Sequence, residues 1–161
     1  MQMTKEKMKD SGIEWIGQIP QDWGVRRIKT LSQVKRGASP RPIDDQKYFD
    51  DEGEYGWVRI EDVTKSNGIL LETKQKLSKI GQELSAKVNP GDLFISIAGS
   101  VGKPIIAGIK CCIHDGFVYF GNPKFNKKYL YYIFIEGSIY KGLGKMGTQL
   151  NLNTETIGSM S

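Results

Sequence analysis

The sequence predicts an α+β fold, a single domain with a curved, mostly antiparallel sheet and a few packed helices. Three observations lead there. Short β-rich runs recur between turn signals made of Gly, Pro and Asn. Only two middle-sized segments carry helical spacing. Strands and helices follow no regular βαβα alternation and no internal repeat, which argues against a doubly wound sheet. At 161 residues the chain has the length of one domain with one real core.

Taken in order, residues 1–10 read as a polar tail. Trp15, Ile16 and Ile19 give the next segment apolar anchors, Trp15 and Trp23 read as packing anchors rather than base-stacking groups, and Pro20 breaks any helix begun there. Val25, Ile28, Leu31 and Val34 recur every three residues, which predicts a short helix or 3₁₀-like stretch stopped by Gly37. Ser39-Pro40-Arg41-Pro42 is irregular, and residues 37–56 form a long loop of the kind that is usually functional or disordered. Trp57-Val58-Arg59-Ile60 reads as a strand, Asn67-Gly68 as a turn and Ile69-Leu70-Leu71 as a second strand. Ser78 is placed to cap a helix carrying Ile80, Leu84 and Val88 at i, i+4 and i+8, ended by Asn89-Pro90-Gly91-Asp92.

Residues 93–98 then read as a strand buried on at least one face, residues 99–103 as a turn and residues 104–107 as the returning strand. Cys111-Cys112-Ile113 and Phe117-Val118-Tyr119-Phe120 are further β pieces. Asn126 caps a helix through Tyr129, Leu130, Ile133 and Phe134, extending toward Ile139 and Tyr140; its aromatic residues are expected in core or interface. Residues 142–153 form a loop with one short extended piece, and Thr154-Glu155-Thr156-Ile157 opens another helix.

Composition narrows the class. Hydrophobic residues make up 39% and charged residues 25%, ordinary globular usage that excludes global disorder. No apolar run approaches the ~18 residues of a membrane span, and the N-terminus lacks a signal-type apolar core, so a cytoplasmic protein is expected. Cys111 and Cys112 are adjacent, which strains any disulfide between them, and no CxxC accompanies them. They read as buried thiols in a strand, with no metal site.

The net charge is +5 and the pI about 9.1, a weak pointer to a polyanionic partner. Distribution says more. Between Trp23 and Ile43 stand Arg26, Arg27, Lys29, Lys35, Arg36 and Arg41 with no acid, followed by Asp44, Asp45, Asp50, Asp51, Glu52 and Glu54. This is a basic strip beside an acidic, turn-rich loop.

Several motifs fail on chemistry. Residues 142–147 match G-x-G-x-x-G, but a helix precedes them and no strand–helix unit surrounds them. Residues 99–103 imitate a phosphate-binding loop, yet Pro104 stands where a hydroxyl should hold magnesium. His114-Asp115 has no nucleophile assigned to it, and the acids of residues 44–54 sit on no element that would fix a two-metal geometry. No catalytic constellation and no cofactor site emerges. Asn122-Pro123-Lys124-Phe125 is similar to the Asn-Pro-Pro-Phe signature of amino-group DNA methyltransferases, with Lys124 replacing the second proline. No Gly-rich cofactor loop stands upstream on a strand–helix unit, so a helix-opening turn is the better explanation.

Four segments, in order, resemble a target-recognition domain of the specificity subunit of type I restriction–modification systems. SGIEWIGQIPQDW followed by VRRIKTL and Gly37 looks like the family's opening segment. Trp57-Val58-Arg59-Ile60-Glu61-Asp62-Val63 resembles its strand after the first loop. Pro90-Gly91-Asp92 leading into the strand at Leu93 and then Gly102 is similar to a further family pattern. Tyr129-Leu130-Tyr131-Tyr132 and Gly147-Thr148-Gln149-Leu150-Asn151-Leu152 look like its closing helix and closing segment.

The resemblance implies a polar tail over residues 1–10, a DNA-binding target-recognition domain over 11–153, and the start of a truncated spacer helix over 154–161. It implies sequence-specific binding of double-stranded DNA, one domain reading one half of a split target. Methylation and cleavage belong to separate methyltransferase and restriction subunits, so the chain itself is not an enzyme. A second copy or a second recognition domain would complete the target. The chain lacks the long spacer helix and second domain of a full subunit, and reads as a fragment or a half-size subunit.

No base-reading motif carries over, so the site residues come from chemistry. Arginine reads guanine bidentately, while lysine and hydroxyls hold phosphates. Arg41, Arg59 and Gln149 are the candidates for base edges. Lys35, Arg36, Ser39, Ser100, Lys103 and Lys145 are the candidates for the DNA backbone. Two rival readings are a small methyltransferase or nuclease fragment, from Asn122, and a protein-interaction remnant without DNA binding.

Overall fold

Leu93, Phe94, Ile95 and Ser96 are all buried, and so are Cys111, Cys112 and Ile113. A strand whose successive side chains are all buried must be covered on both faces. These two runs therefore lie in the middle of a layered structure. The computed structural model describes residues 7–99, 101–141 and 152–161.

Two sheets stack. The first has five strands: β3 (Gln33–Arg36), β5 (Ile69–Leu70), β8 (Leu93–Ser96), β9 (Pro104–Ala107) and β11 (Phe117–Gly121), in the order β3-β11-β8-β9-β5. The second has four: β4 (Tyr55–Val58), β6 (Gln75–Leu77), β7 (Ala86–Val88) and β10 (Cys111–Ile113), in the order β6-β4-β10-β7. Among the described residues every strand pairing is antiparallel except β4–β10 and β5–β9. The α+β class and the antiparallel bias hold, but two packed sheets take the place of one curved sheet.

Alternation along the strands assigns the layers. Leu93, Ile95, Val118 and Phe120 point from one face of the five-stranded sheet into a core with Ile28, Leu130, Phe134 and Ile157. Those four come from the helices α1 (Ile28–Leu31), α4 (Lys127–Glu136) and α5 (Thr154–Gly158). Phe94, Ile105 and Phe117 point the other way and meet Val58, Val88, Cys111 and Ile113 of the four-stranded sheet. That sheet's outer face carries Trp57, Leu77 and Cys112, covered by Ile43, Phe49 and Tyr55. The long loop of residues 37–56 is therefore ordered: it packs apolar residues as a fourth layer, with a 3₁₀ turn at Gln46–Tyr48 and Tyr48 buried.

Local differences from the expected elements have physical causes. The three-residue recurrence gives a helix only over Ile28–Leu31; Val34 belongs to β3, where pairing with β11 outweighs the short helical pattern. Strand β4 stops at Val58, and Arg59 caps α2 (Ile60–Lys65), because Asp62 at the third helical position accepts the Arg59 amide at 2.9 Å. Ser78 caps α3 (Lys79–Glu83) as expected, accepting from the Gly81 amide, but the helix ends before Leu84 and Val88. Ile80 and Leu84 are exposed, and Val88 lies in β7. α3 buries Gly81 instead, where an added Cβ would come within 2.5 Å of the Tyr48 carbonyl.

Asn126 caps α4 by accepting the Tyr129 amide, and α4 ends at Gly137, whose φ of 87° favours glycine. Trp15 packs against the helical core, whereas Trp23 is exposed, so one tryptophan and not two anchors the opening segment. The last residues of the polar tail form β1 (Met8–Asp10), paired with β2 (Gln18–Pro20).

Candidate nucleic-acid interface

Arg36 ends the edge strand β3, and its Nε donates to the Asp115 carbonyl at 2.8 Å. Arg41, five residues on in the long loop, reaches the same residue and places Nη2 3.2 Å from the Asp115 carboxylate. Asp115 lies in the turn between β10 and β11, next to His114. The His114 ring contacts Phe117 at 4.7 Å and Trp57 at 5.7 Å between centroids. Trp57 is two residues before Arg59, and the Arg59 charge acts on His114.

The β8–β9 turn abuts the same place. A side chain at Gly116 would lie 3.3 Å from Ala98, and one at Gly99 would lie 3.3 Å from Ile60. Lys103 follows this turn, with its backbone amide bonded to Ser96 Oγ at 3.0 Å. Segments far apart in the chain thus bring Arg36, Arg41 and Arg59 around the 114–116 turn, and Lys103 follows the adjoining β8–β9 turn. The Gly37 backbone makes this possible, since a Cβ there would collide with the His114 carbonyl at 2.1 Å.

Arg59 differs from the others. It is half-buried, and its Nε donates to Gln75 Oε1 on the neighbouring strand β6. Asp62 clips the Arg59 amide to the Lys74 amide through its two carboxylate oxygens, at 2.9 and 3.1 Å. Arg59 and Gln75 line a cavity of about 610 Å³ whose wall includes Asp44, Asp50 and Asp51. Gln75 and Asp115 were not candidates in the sequence. Nothing local in Lys-Gln-Lys marks Gln75, and Asp115 gains its role only through two arginines 79 and 74 residues away.

The remaining candidates scatter. Lys35 is exposed but lies over Gly121 on the other side of β3. Ser39 is half-buried in the loop. Ser100, Lys145 and Gln149 lie outside the described residues.

The features that mimic catalysis have structural roles. Burial pushes the thiol of Cys111 up to about 12 and that of Cys112 up to about 11, so neither is a thiolate near neutrality. Burial also lowers the His114 pKa, and its Nδ1 accepts the Gly116 amide at 2.9 Å. Asn122, with φ 45°, turns the chain out of β11, and Phe125 packs edge-on against Phe120 at 5.5 Å. That motif is a helix-opening turn. Among the described residues no group of three His, Cys, Asp or Glu side chains could hold a metal ion, and no helix is long and apolar enough to cross a membrane.

Comparison with known proteins decides the family. The family described as "Type I restriction modification DNA specificity domain" matches residues 20–161, most of the chain. The chain belongs to this family. A curated relative, the type I restriction enzyme MjaIX specificity subunit of Methanocaldococcus jannaschii, is 27% identical over 124 residues, covering 74% of this chain and 28% of the relative.

Solved structures agree in fold. A chain from a study of complex assembly and conformational transition of the type I R-M system superposes with a TM-score of 0.67 at 18% identity, over 94% of this chain and 35% of that one. The HsdS subunit of Thermoanaerobacter tengcongensis gives 0.58 at 20% identity, over 90% and 34%. The S subunit of M. genitalium gives 0.53 at 16%, over 83% and 32%. The specificity domain described here spans about a third of the length of the proteins it matches.

Proposed function

We propose that this specificity domain binds double-stranded DNA sequence-specifically, reading one half of a bipartite target. It does so as the specificity subunit, or half-subunit, of a type I restriction–modification system. Methylation and cleavage fall to the methyltransferase and restriction subunits, and the chain itself needs no cofactor. A second copy, or a second recognition domain, reads the other half-site. The cytoplasm, where the DNA is, is the compartment.

The observation that carries this reading is the convergence of Arg36, Arg41 and Arg59 around the 114–116 turn, with Lys103 on the adjoining β8–β9 turn. Three arginines gathered from separate segments around one turn, with a lysine on the turn beside it, form the electrostatic footprint a polyanion requires. In this reading Arg36 and Lys103 hold phosphates, with Lys35, Ser39, Ser100 and Lys145 as further backbone contacts. Arg41, Arg59 and Gln149 reach base edges. The Asp115 carboxylate holds Arg41 in place until a base or phosphate replaces it.

Selection of bound duplexes from a random pool tests the proposal. The expected result is enrichment of one short half-site that the chain binds with nanomolar-range affinity at low salt. A pool that emerges unenriched at low salt would contradict DNA reading and leave the protein-interaction alternative.

A further inference from the structure

The convergent arginines differ in how they are held, and the difference bears on what each one contacts. Arg41 is a mobile-type contact: its side chain is 78% exposed and paired with a partly exposed carboxylate. Arg59 is fixed at three points. Its amide is clipped by the buried Asp62, its carbonyl accepts the Asp62 and Val63 amides at the start of α2, and its Nε is occupied by Gln75 Oε1. Among the described residues no acceptor occupies its Nη1 and Nη2, and no carboxylate lies within ion-pair distance of it. A guanidinium held at Nε keeps its plane and presents the two terminal amines as a fork.

The cavity that Arg59 lines is also acidic. Asp44, Asp50 and Asp51 line the same cavity. Carboxylates repel a phosphate but accept from the exocyclic amine of a base, cytosine N4 above all. A guanine edge offers the fork two acceptors, O6 and N7, and the paired cytosine offers the carboxylates a donor.

We propose that Gln75 is a positioning residue that orients Arg59 to read a guanine in a G·C pair, with the acidic wall excluding phosphate from that fork. This inference rests on the reading of the chain as a DNA-binding domain. It narrows that reading to one base pair and assigns Gln75, which touches no DNA, a part in specificity.

The test compares half-sites selected by the full wild-type chain with those selected by Arg59→Ala, Gln75→Ala and Gln75→Glu, each checked for an unchanged circular-dichroism spectrum and melting temperature. The wild-type half-site should contain a fixed G·C pair. Arg59→Ala should relax that pair alone and weaken binding roughly 5- to 150-fold. Its salt slope should stay at the wild-type value, because no phosphate contact is lost. Gln75→Ala should relax the same position with a smaller loss of affinity, and Gln75→Glu, which keeps an acceptor for Nε, should restore the preference.

The inference is overturned if Gln75→Ala keeps the wild-type preference, or if it relaxes a position different from that of Arg59→Ala. A salt slope reduced by about one unit in Arg59→Ala would make Arg59 a phosphate contact and overturn it as well. An unenriched wild-type pool removes the DNA-binding reading itself. An enriched wild-type half-site that Gln75→Ala leaves untouched removes only the role of Gln75.

Discussion

His114 is the chain's single histidine, and it is held by its surroundings as a neutral ring. Burial lowers its pKa below the usual 6.5, Asp115 opposes that shift, and Arg59 adds to it. The Gly116 amide donates to Nδ1, which requires that nitrogen unprotonated. Below about pH 6.5 the unfolded chain takes up a proton that the folded chain still refuses, so the stability present above that pH declines as the pH falls toward the folded-state pKa. The melting temperature of the wild type should therefore drop more steeply between pH 7 and pH 5 than that of His114→Gln. Parallel curves for the two proteins would show that the turn does not depend on a neutral imidazole. The arginines around this turn were visible in the sequence as a basic strip, because charge composition is local. Their meeting point was not, because Asp115 lies more than 70 residues from either partner.

At the scale of elements, α5 is integrated with the domain. Ile157 is fully buried, Met160 and Leu152 nearly so, and the Met160 carbonyl accepts the Ile28 amide at 2.8 Å. Ile157→Ala should lower the unfolding free energy by about 2–5 kcal/mol, measured by urea denaturation. α3 makes the opposite case. Its Ile80-Leu84-Val88 spacing reads as an amphipathic helix packing on the core, yet Ile80 is 53% exposed and Val88 has left the helix for β7. Ile80→Lys should change stability by less than about 0.5 kcal/mol, where a core position would lose several. The caps at Ser78 and Asn126 were legible because an N-cap is a contact within four residues. The start of α2 was missed because Trp-Val-Arg-Ile continues a strand pattern. The switch to helix depends on Asp62 bonding both the Arg59 and Lys74 amides, and Lys74 is distant in sequence.

For the whole molecule, the basic charge sets the expected response to salt. If the four cations assigned to phosphates, Lys35, Arg36, Lys103 and Lys145, all make contact, the logarithm of the binding constant should fall with the logarithm of salt at a slope near about −3.6. A flat salt dependence would rule out the phosphate contacts. The sequence by itself determined the α+β class, most strand positions, the buried thiols, the family resemblance and the presence of a basic strip. All of these follow from local patterning, composition or the order of short motifs. Only the tertiary structure decided that two sheets stack where one was expected and that residues 37–56 pack as an ordered layer over Trp57 and Cys112. It also decided that Arg59 is held by Gln75 while Arg36 and Arg41 share Asp115. Strands such as β8 and β10 are apolar on both faces, so their alternation does not say which sheet each side will meet. The partners of an arginine at a strand end are set by the neighbouring strands in space, which short-range pattern does not encode.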